Sequence, residues 1–209
     1  MTDVRETTRE RARPMAPDDR RAAMIEAVIP LLKEHGRDVS TRQIAEACGV
    51  AEGTVFRAFK DKDSLIAAAI EAYFDPLPFR TAIGSIDRDL PVEEKLRAVL
   101  HLLRERFAGV IGLMSALKMT GGPPPPGVQV SGEGWIDHFC ALLGPDADAL
   151  SMPVDLVAHH LRLVAFASSI PPFTIPHRFS DDELLALIAH GVLKPEGGGR
   201  CSDASSSDS

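Results

Sequence analysis

The sequence predicts an all-α protein in which a short N-terminal group of helices precedes a larger helical region. Apolar residues recur at steps of three and four along most of the 209 residues, which is the spacing of one helix face. No stretch keeps the alternation of apolar and polar residues that is typical of a half-buried strand. Clusters of proline and glycine separate the helical runs and mark the connections between them.

The composition is that of an ordinary globular protein, with 44% hydrophobic and 25% charged residues. No stretch reaches the roughly 18 apolar residues that a membrane span needs, and no apolar segment follows the charged N-terminus as in a signal peptide. The cysteines Cys48, Cys140 and Cys201 are too few and too scattered for a disulfide framework. We therefore expect a cytoplasmic protein without a membrane anchor.

The net charge of −7 is distributed unevenly along the chain. Residues 1–62 carry 12 basic and 11 acidic side chains, whereas residues 63–209 carry 11 basic and 19 acidic ones. The overall acidity argues against a protein that coats nucleic acid nonspecifically. It is compatible with a small DNA-reading module near the N-terminus, because only one face of such a module must be basic.

The N-terminal region begins with a basic arm over residues 1–18 and continues as a helix. This first helix is predicted to begin at Asp18 or Asp19, where apolar residues start to recur at helical spacing. Gly36 is a suitable residue to end it. Pro30 lies inside the helical run and predicts a kink or a locally opened turn.

Three further helices are predicted before residue 75. Ser40 and Gln43 have the spacing of a capping box, which makes Ser40 the N-cap of the second helix. A third helix is predicted over residues 52–59. A fourth follows over residues 62–74, with Asp61 as its N-cap and Pro76 and Pro78 after its end.

The rest of the chain predicts further helices, separated by two segments that are not helical. The candidate helices cover residues 91–107, 108–119, 132–143, 153–169 and 181–193. The run 121–127 contains four consecutive prolines and predicts a stiff, extended spacer. Residues 170–176 form the second break. The predicted organisation is an arm (1–18), a first domain (19–75), a second domain (76–195) and a disordered tail (196–209).

Residues 40–62 combine two short helices with a tight turn at Gly49, which is the arrangement of a helix-turn-helix. In that motif the first helix braces against the phosphate backbone, and the second enters the major groove, which is wide enough for one helix. Ile44, Ala45 and Ala47 are expected on the inner face of the first of these helices. The residues expected to pack the pair together are Ile44, Ala45, Val50, Val55 and Phe59. The second helix of the pair, residues 52–59, is therefore the predicted recognition helix.

The segment STRQIAEACGVAEGTVFRAFKDKDSL resembles the DNA-binding signature of the TetR family of bacterial transcriptional regulators. The matching residues are Thr41, Ile44, Ala45, Gly49, Val50, Gly53, Thr54, Val55, Phe56, Phe59, Lys62 and Leu65. With the helices on either side, the resemblance covers residues 19–75 in one block without gaps. It implies an N-terminal three-helix helix-turn-helix DNA-binding domain and a C-terminal helical domain for effector binding and dimerisation.

The resemblance also implies which residues contact DNA. They are Thr41, Arg42, Glu52, Gly53, Thr54, Phe56, Arg57, Lys60 and Lys62. Thr54 would offer a hydroxyl to phosphate or a methyl group to thymine. Lys62 matches the family's phosphate-contacting lysine at a helix N-terminus, where the helix adds a favourable field.

Three positions depart from the family's pattern. Position 56 is usually Tyr, whose hydroxyl commonly reaches a phosphate, and here it is Phe. Ala51 replaces the usual Ser N-cap of the recognition helix, at a cost of about 1 kcal/mol of capping. Glu52 stands where a polar or basic residue is more usual. Its carboxylate would repel phosphates, although it can accept a hydrogen bond from cytosine N4.

The resemblance further implies a homodimeric repressor, since two recognition helices must reach successive major grooves of a two-fold operator. The last two long helices would pair with their two-fold mates through Leu156, Val157, Leu161, Val164, Leu184, Leu185 and Ile188. An effector pocket among the middle helices would be lined by Met114, Met119, Trp135, Phe139, Phe166 and Phe173, although ordinary core packing explains each of them as well. The scarcity of charges between residues 108 and 143 indicates a mainly apolar effector.

No enzyme chemistry is indicated by the sequence, which contains no GxSxG, HExxH, Walker loop or GxGxxG motif. We expect no cofactor and no metal site, since there is no CxxC pair and the adjacent His159 and His160 point to different faces of a helix. Two other interpretations stay open. One is a helical ligand- or protein-binding module whose DNA-reading surface has decayed, and the other is a constitutive repressor without an effector. DNA binding with a steep salt dependence separates the decayed module from a true reader.

Overall fold

The computed structural model describes residues 16–119, 134–170 and 178–193, and over these ranges the secondary structure is helical. The helices are α1 (Pro17–His35), α2 (Thr41–Ala47), α3 (Glu52–Ala58), α4 (Lys62–Phe74), α5 (Leu77–Gly84), α6 (Val92–Ala116), α7 (Gly134–Leu143), α8 (Val154–Ser169) and α9 (Asp181–Val192). Short 3-10 turns cover Gly36–Asp38 and Gly144–Ala149. An isolated antiparallel bridge joins Leu150 and Leu193. The prediction of an all-α fold is confirmed.

The predicted starts and ends of the N-terminal helices follow from local chemistry. Ser40 accepts a hydrogen bond from the backbone N–H of Gln43, whose side chain accepts from the N–H of Ser40, so the capping box at α2 is confirmed. The carboxylate of Asp61 accepts from the N–H of Ser64 at 2.7 Å and caps α4. Gly36 follows α1 with a φ of 60°, and a β-carbon there would collide with the carbonyl oxygen of Ala116.

Two predictions about the middle of the chain are wrong. The separate helices over 91–107 and 108–119 are one continuous helix, α6, because the isolated glycines near its C-terminal end weaken a helix without ending it. A helix was also missed: α5 begins directly after Pro76, with a second proline in its first turn. Proline is accepted in a first helical turn, where its missing N–H would have no partner within the helix.

The chain divides into two compact units. The first comprises the described part of Met1–Tyr73 together with the described part of Leu113–Gly122, and the second comprises Phe74–Gly112 with the described residues after 133. In the first unit the buried apolar side chains come from each of its four helices, from residues between these helices, and from the end of α6. They are Met24, Val28, Leu32, Val39, Ile44, Ala45, Val55, Phe59, Leu65, Ile66, Ala69, Ile70, Leu113 and Leu117.

The core of the second unit is built around α7, which packs against α5 and α8. Trp135 and Phe139 of α7 are buried there, with their ring centroids 5.7 Å apart and their planes inclined by 69°. Lys95 is only 2% exposed, and its Nζ donates to Oδ2 of Asp146 at 2.8 Å. This ion pair satisfies a charge that would otherwise be costly to bury.

Within the described ranges, no helix is both long enough and apolar enough to cross a membrane.

Candidate nucleic-acid interface

Helices α2 and α3 form the predicted helix-turn-helix, with the turn between them at Gly49. Gly49 has a φ of 66°, a conformation that glycine adopts without strain. Ile44 and Ala45 of α2 and Val55 of α3 are buried, as expected for the inner faces of the pair. Ala47 is exposed, so its placement on the inner face was wrong: it lies two positions beyond Ala45, which turns it away from that face.

The outer face of α3 presents an open, largely uncovered surface. Phe56 is 45% exposed, and Arg57 and the following Lys60 are exposed as well. At Gly53 a β-carbon would meet nothing within 4 Å, so the backbone is open to a close approach from outside. Thr54 is half-buried. The structure thus places these predicted contact residues on and directly after the recognition helix. Both basic and apolar side chains are exposed on this surface.

The start of α2 carries two predicted contact residues that are already hydrogen-bonded within the protein. Nε of Arg42 donates to Oε1 of Glu46 at 2.9 Å, and this hydrogen bond and the charge of Glu46 raise the pKa of Arg42. The hydroxyl of Thr41 donates to Oε1 of Glu52 at 3.4 Å. Glu52 is exposed in the first turn of α3, so a carboxylate stands at the entry to the recognition helix.

Lys62, at the start of α4, has partners that the sequence does not reveal. Its Nζ lies 3.1 Å from the carbonyl oxygen of Arg37 and 3.2 Å from that of Val39, and it donates to both. These carbonyls lie in and just after the 3-10 turn that precedes α2, where few backbone partners exist. Lys62 therefore ties α4 to the turn before α2, which is a structural role in addition to the predicted phosphate contact.

Arg21 of α1 also reaches the recognition helix, although no motif of the sequence points to it. Its Nη1 donates to the carbonyl oxygen of Ala58, the last residue of α3, at 2.7 Å. Its guanidinium carbon lies 4.0 Å above the ring centroid of Phe59. The available signal was spacing: Arg21 precedes the buried Met24 by three residues and so lies close to the inward face of α1.

The predicted dimer interface needs correction. Five of its seven residues lie in the core of the second unit within a single chain, at 5% exposure or less: Val157, Leu161, Leu184, Leu185 and Ile188. They offer little surface to a second copy, because their side chains are covered by the chain itself. Val164 is half-buried and packs against that core, whereas Leu156 is 50% exposed. The large apolar side chains that remain outside on these helices also include Leu163 (65% exposed) and Leu187 (64% exposed).

The predicted pocket residues are distributed over both units. Trp135 and Phe139 are core residues of the second unit, and the ring of Phe166 packs edge-on against Phe107 at 5.3 Å. Met114 and Met119 are half-buried and belong to the first unit. Phe173 lies outside the described residues.

Charged side chains link the middle of α6 to the start of α9 in the second unit. Arg104 donates to the carboxylate of Asp181, and Nδ1 of His101 lies 2.7 Å from Oδ2 of the same group. Arg97 pairs with Asp182 in the next position. Burial raises the pKa of Asp181, but the hydrogen bonds and charges of His101 and Arg104 outweigh burial and hold this pKa below its usual value.

The fold and the exposed face of α3 define a helix-turn-helix protein with a helical second unit. Residues 25–69 match the family model for bacterial regulatory proteins of the tetR family. This matched segment is thus a helix-turn-helix of the TetR type. The matched residues cover α2, α3 and most of α1 and α4, which is the part that carries the helix-turn-helix.

Curated relatives and solved structures are similar to this chain at low identity. An uncharacterized HTH-type transcriptional regulator of Mycobacterium tuberculosis is 26% identical over 90 residues, which is 43% of this chain. The match spans only 38% of that relative's length. A TetR transcriptional regulator from Streptomyces coelicolor shares 23% identity with a TM-score of 0.54, over 83% of this chain and 98% of the other.

Two further solved structures share the fold. A structure described as the molecular basis for control of antibiotic production by a bacterial hormone has a TM-score of 0.61 at 20% identity, over 84% of this chain and 98% of the other. The superantigen PfiT has a TM-score of 0.57 at 15% identity, over 85% and 98% of the two chains. Similarities at this level establish a shared fold, and the proteins that share it carry different descriptions.

Proposed function

We propose that this protein is a cytoplasmic transcriptional repressor that binds a palindromic DNA operator as a homodimer and is released by a small, mainly apolar effector. The observation that carries the proposal is the open outer face of α3, where Phe56, Arg57 and Lys60 are exposed next to the uncovered backbone at Gly53. A helix with such a face can enter the major groove, and basic side chains beside it neutralise phosphates.

Dimerisation is supported by the uncovered apolar surface of α8 and α9. Leu156, Leu163 and Leu187 are each at least half exposed, although large apolar side chains are commonly buried. A two-fold axis near these helices would bring the same residues of two copies together. It would also provide the two recognition helices that a palindromic operator needs, about one helical turn of DNA apart.

An effector would act by binding more tightly to the state that does not fit the operator. The proposal of an apolar effector is supported by the chain between residues 108 and 143, in which Lys118, Glu133 and Asp137 are the only Asp, Glu, Lys or Arg residues. A thermal-shift screen of apolar small molecules tests this part. A ligand that raises the melting temperature and lowers operator affinity supports it, whereas the absence of any stabilising ligand favours a constitutive repressor.

Selection of bound duplexes from a random DNA pool tests the DNA-binding part. At near-physiological salt the protein should enrich one palindrome whose half-sites lie about 10 base pairs apart. On that palindrome, Thr54→Ala should change the preferred bases, whereas Arg57→Ala should weaken binding to all sequences and lower the salt slope by about one. Arg88→Ala is the matched control, since Arg88 is an exposed arginine of the second unit.

A decayed DNA-reading module is the second candidate function, and the chemistry around α3 favours it at three points. Phe56 has no hydroxyl for a phosphate, α3 has no side-chain cap at Ala51, and Glu52 adds a negative charge at the entry to the recognition helix. If the folded, dimeric protein enriches no duplex, this second candidate replaces the repressor.

A further inference from the structure

We propose that Arg21 is a positioning residue for operator recognition, because from α1 it fixes the C-terminal end of the recognition helix α3. The inference rests on the proposed DNA-binding function and extends it to a residue outside the helix-turn-helix. Two contacts carry it: the 2.7 Å hydrogen bond from Nη1 of Arg21 to the carbonyl oxygen of Ala58, and the 4.0 Å contact of its guanidinium with the ring of Phe59.

Helix α3 needs support from outside because it is too short to be stable alone. It has seven residues, about two turns, and isolated helices of that length do not persist in water. Its N-cap, Ala51, has no side-chain oxygen to accept from the first N–H groups. The orientation of α3 therefore depends on contacts with its neighbours, and the contacts of Arg21 at its C-terminal end are among them.

Arg21 suits that end of the helix for three physical reasons. The last carbonyls of a helix have no partner within the helix, and Arg21 supplies a donor to one of them. A positive charge is also favoured at a helix C-terminus, where the helix dipole is negative. The stacking on Phe59 fixes the direction from which the guanidinium of Arg21 approaches α3, since Phe59 is itself buried in the first unit. One side chain of α1 thus holds both the backbone and the following ring.

A positioning role predicts a loss of specificity rather than a uniform loss of affinity. A loosened α3 still presents Arg57 and Lys60 to phosphates, but it no longer holds its side chains in register with base edges. We expect Arg21→Met to lower the ratio of operator affinity to nonspecific DNA affinity about fivefold, with an unchanged salt slope. Arg21→Lys should restore part of the ratio, because a lysine can make one of the two contacts at a time.

The matched control comes from the same helix. Lys33 of α1 lies over the ring of Tyr73 at 4.5 Å, so Lys33→Met removes a comparable cation–ring contact that does not involve α3. Its affinity ratio should equal that of the wild type. All affinities are measured at 20 °C on proteins shown to be folded by circular dichroism, so that a general loss of stability does not alter the ratio.

Two binding results would overturn the inference. An unchanged ratio in Arg21→Met would show that Arg21 does not position the helix, and a salt slope reduced by about one would make Arg21 a phosphate contact instead. Hydrogen exchange of the α3 amides without DNA gives an independent reading. It should be faster in Arg21→Met than in Lys33→Met, and equal rates would contradict the inference even if the wild type bound no operator. A wild type that enriches no duplex would refute the proposed function separately.

Discussion

Nε of Arg42 lies 2.9 Å from Oε1 of Glu46, one turn further along α2, and both side chains are well exposed. In the proposed DNA complex this arginine contacts a phosphate, but an acidic neighbour of its own helix already engages it in the free protein. A phosphate must therefore compete with Glu46 for the guanidinium. The pair is exposed and screened by solvent, so the competition is modest in free energy.

Replacing Glu46 should strengthen DNA binding. Glu46→Gln removes a negative charge near the DNA and frees Arg42, so we expect affinity to rise about threefold for operator and nonspecific DNA alike. Fluorescence anisotropy at several salt concentrations measures the effect. Glu34→Gln is the control, because Glu34 is an exposed glutamate of α1 in the same unit. An equal gain in both variants would show that only net charge matters.

Adding a hydroxyl to Phe56 should tighten DNA binding. The ring is 45% exposed on α3, so Phe56→Tyr can place a donor toward the phosphate backbone without disturbing the core. One hydrogen bond to a charged acceptor corresponds to an affinity gain of about fivefold. Phe179→Tyr, at a 38% exposed phenylalanine of the second unit, should have no effect. If Phe56→Tyr weakens operator binding, the ring itself contacts the bases.

Charges on the exposed leucines of α8 and α9 should separate the proposed dimer. Leu163→Arg and Leu187→Arg each place two like charges near a two-fold axis, and neither side chain belongs to the chain's own core. We expect folded monomers in sedimentation experiments at micromolar concentration. Leu77→Arg, at an equally exposed leucine of α5, should stay dimeric. If the α8 variant and the α9 variant both remain dimeric, this face of the two helices is not the dimer interface.

Acid should weaken the link between α6 and α9 through Asp181. Its pKa is lowered in the folded protein, so its stabilising contribution is complete above the ordinary carboxyl pKa of about 3.9 and is lost as the pH falls through the folded value. Asp181→Asn should lower the free energy of unfolding at pH 7 and reduce its decline between pH 5 and pH 3. Urea unfolding measures both.

The control for this acid effect is the neighbouring Asp182, which pairs with Arg97 but is 78% exposed at its side chain. Asp182→Asn should change the pH dependence much less, because solvent screens an exposed pair. An equal change in the two variants would assign the effect to the helix N-terminus as a whole instead of to the Asp181 site.

Local signals predicted the N-terminal helices well because α1, α2 and α4 each carry their own start or stop residue. Ser40, Asp61 and Gly36 act through hydrogen bonds or backbone conformations within a few residues, and the structure shows them doing so. Helix α5 was missed because Pro76 was interpreted as a stop, although proline also suits a helix start. Local sequence does not distinguish these two roles.

The long-range parts of the site could not be predicted from the sequence. Hydrophobic spacing shows that α8 and α9 have apolar faces, but it does not tell which face the chain covers itself, so Leu161 and Ile188 were assigned to the wrong surface. The contacts of Arg21 and Lys62 join residues more than 20 positions apart. Such contacts depend on how the helices pack against each other. The spacing of apolar residues within one helix carries no information about that packing.

The most direct test of the account is the ratio of the wild type's affinity for its selected palindrome to its affinity for the same duplex with scrambled half-sites. Measured at about 150 mM salt, the ratio should be on the order of 1,000 or more, with two chains bound per palindrome. Equal affinities for the two duplexes would contradict the claim that α3 reads DNA sequence.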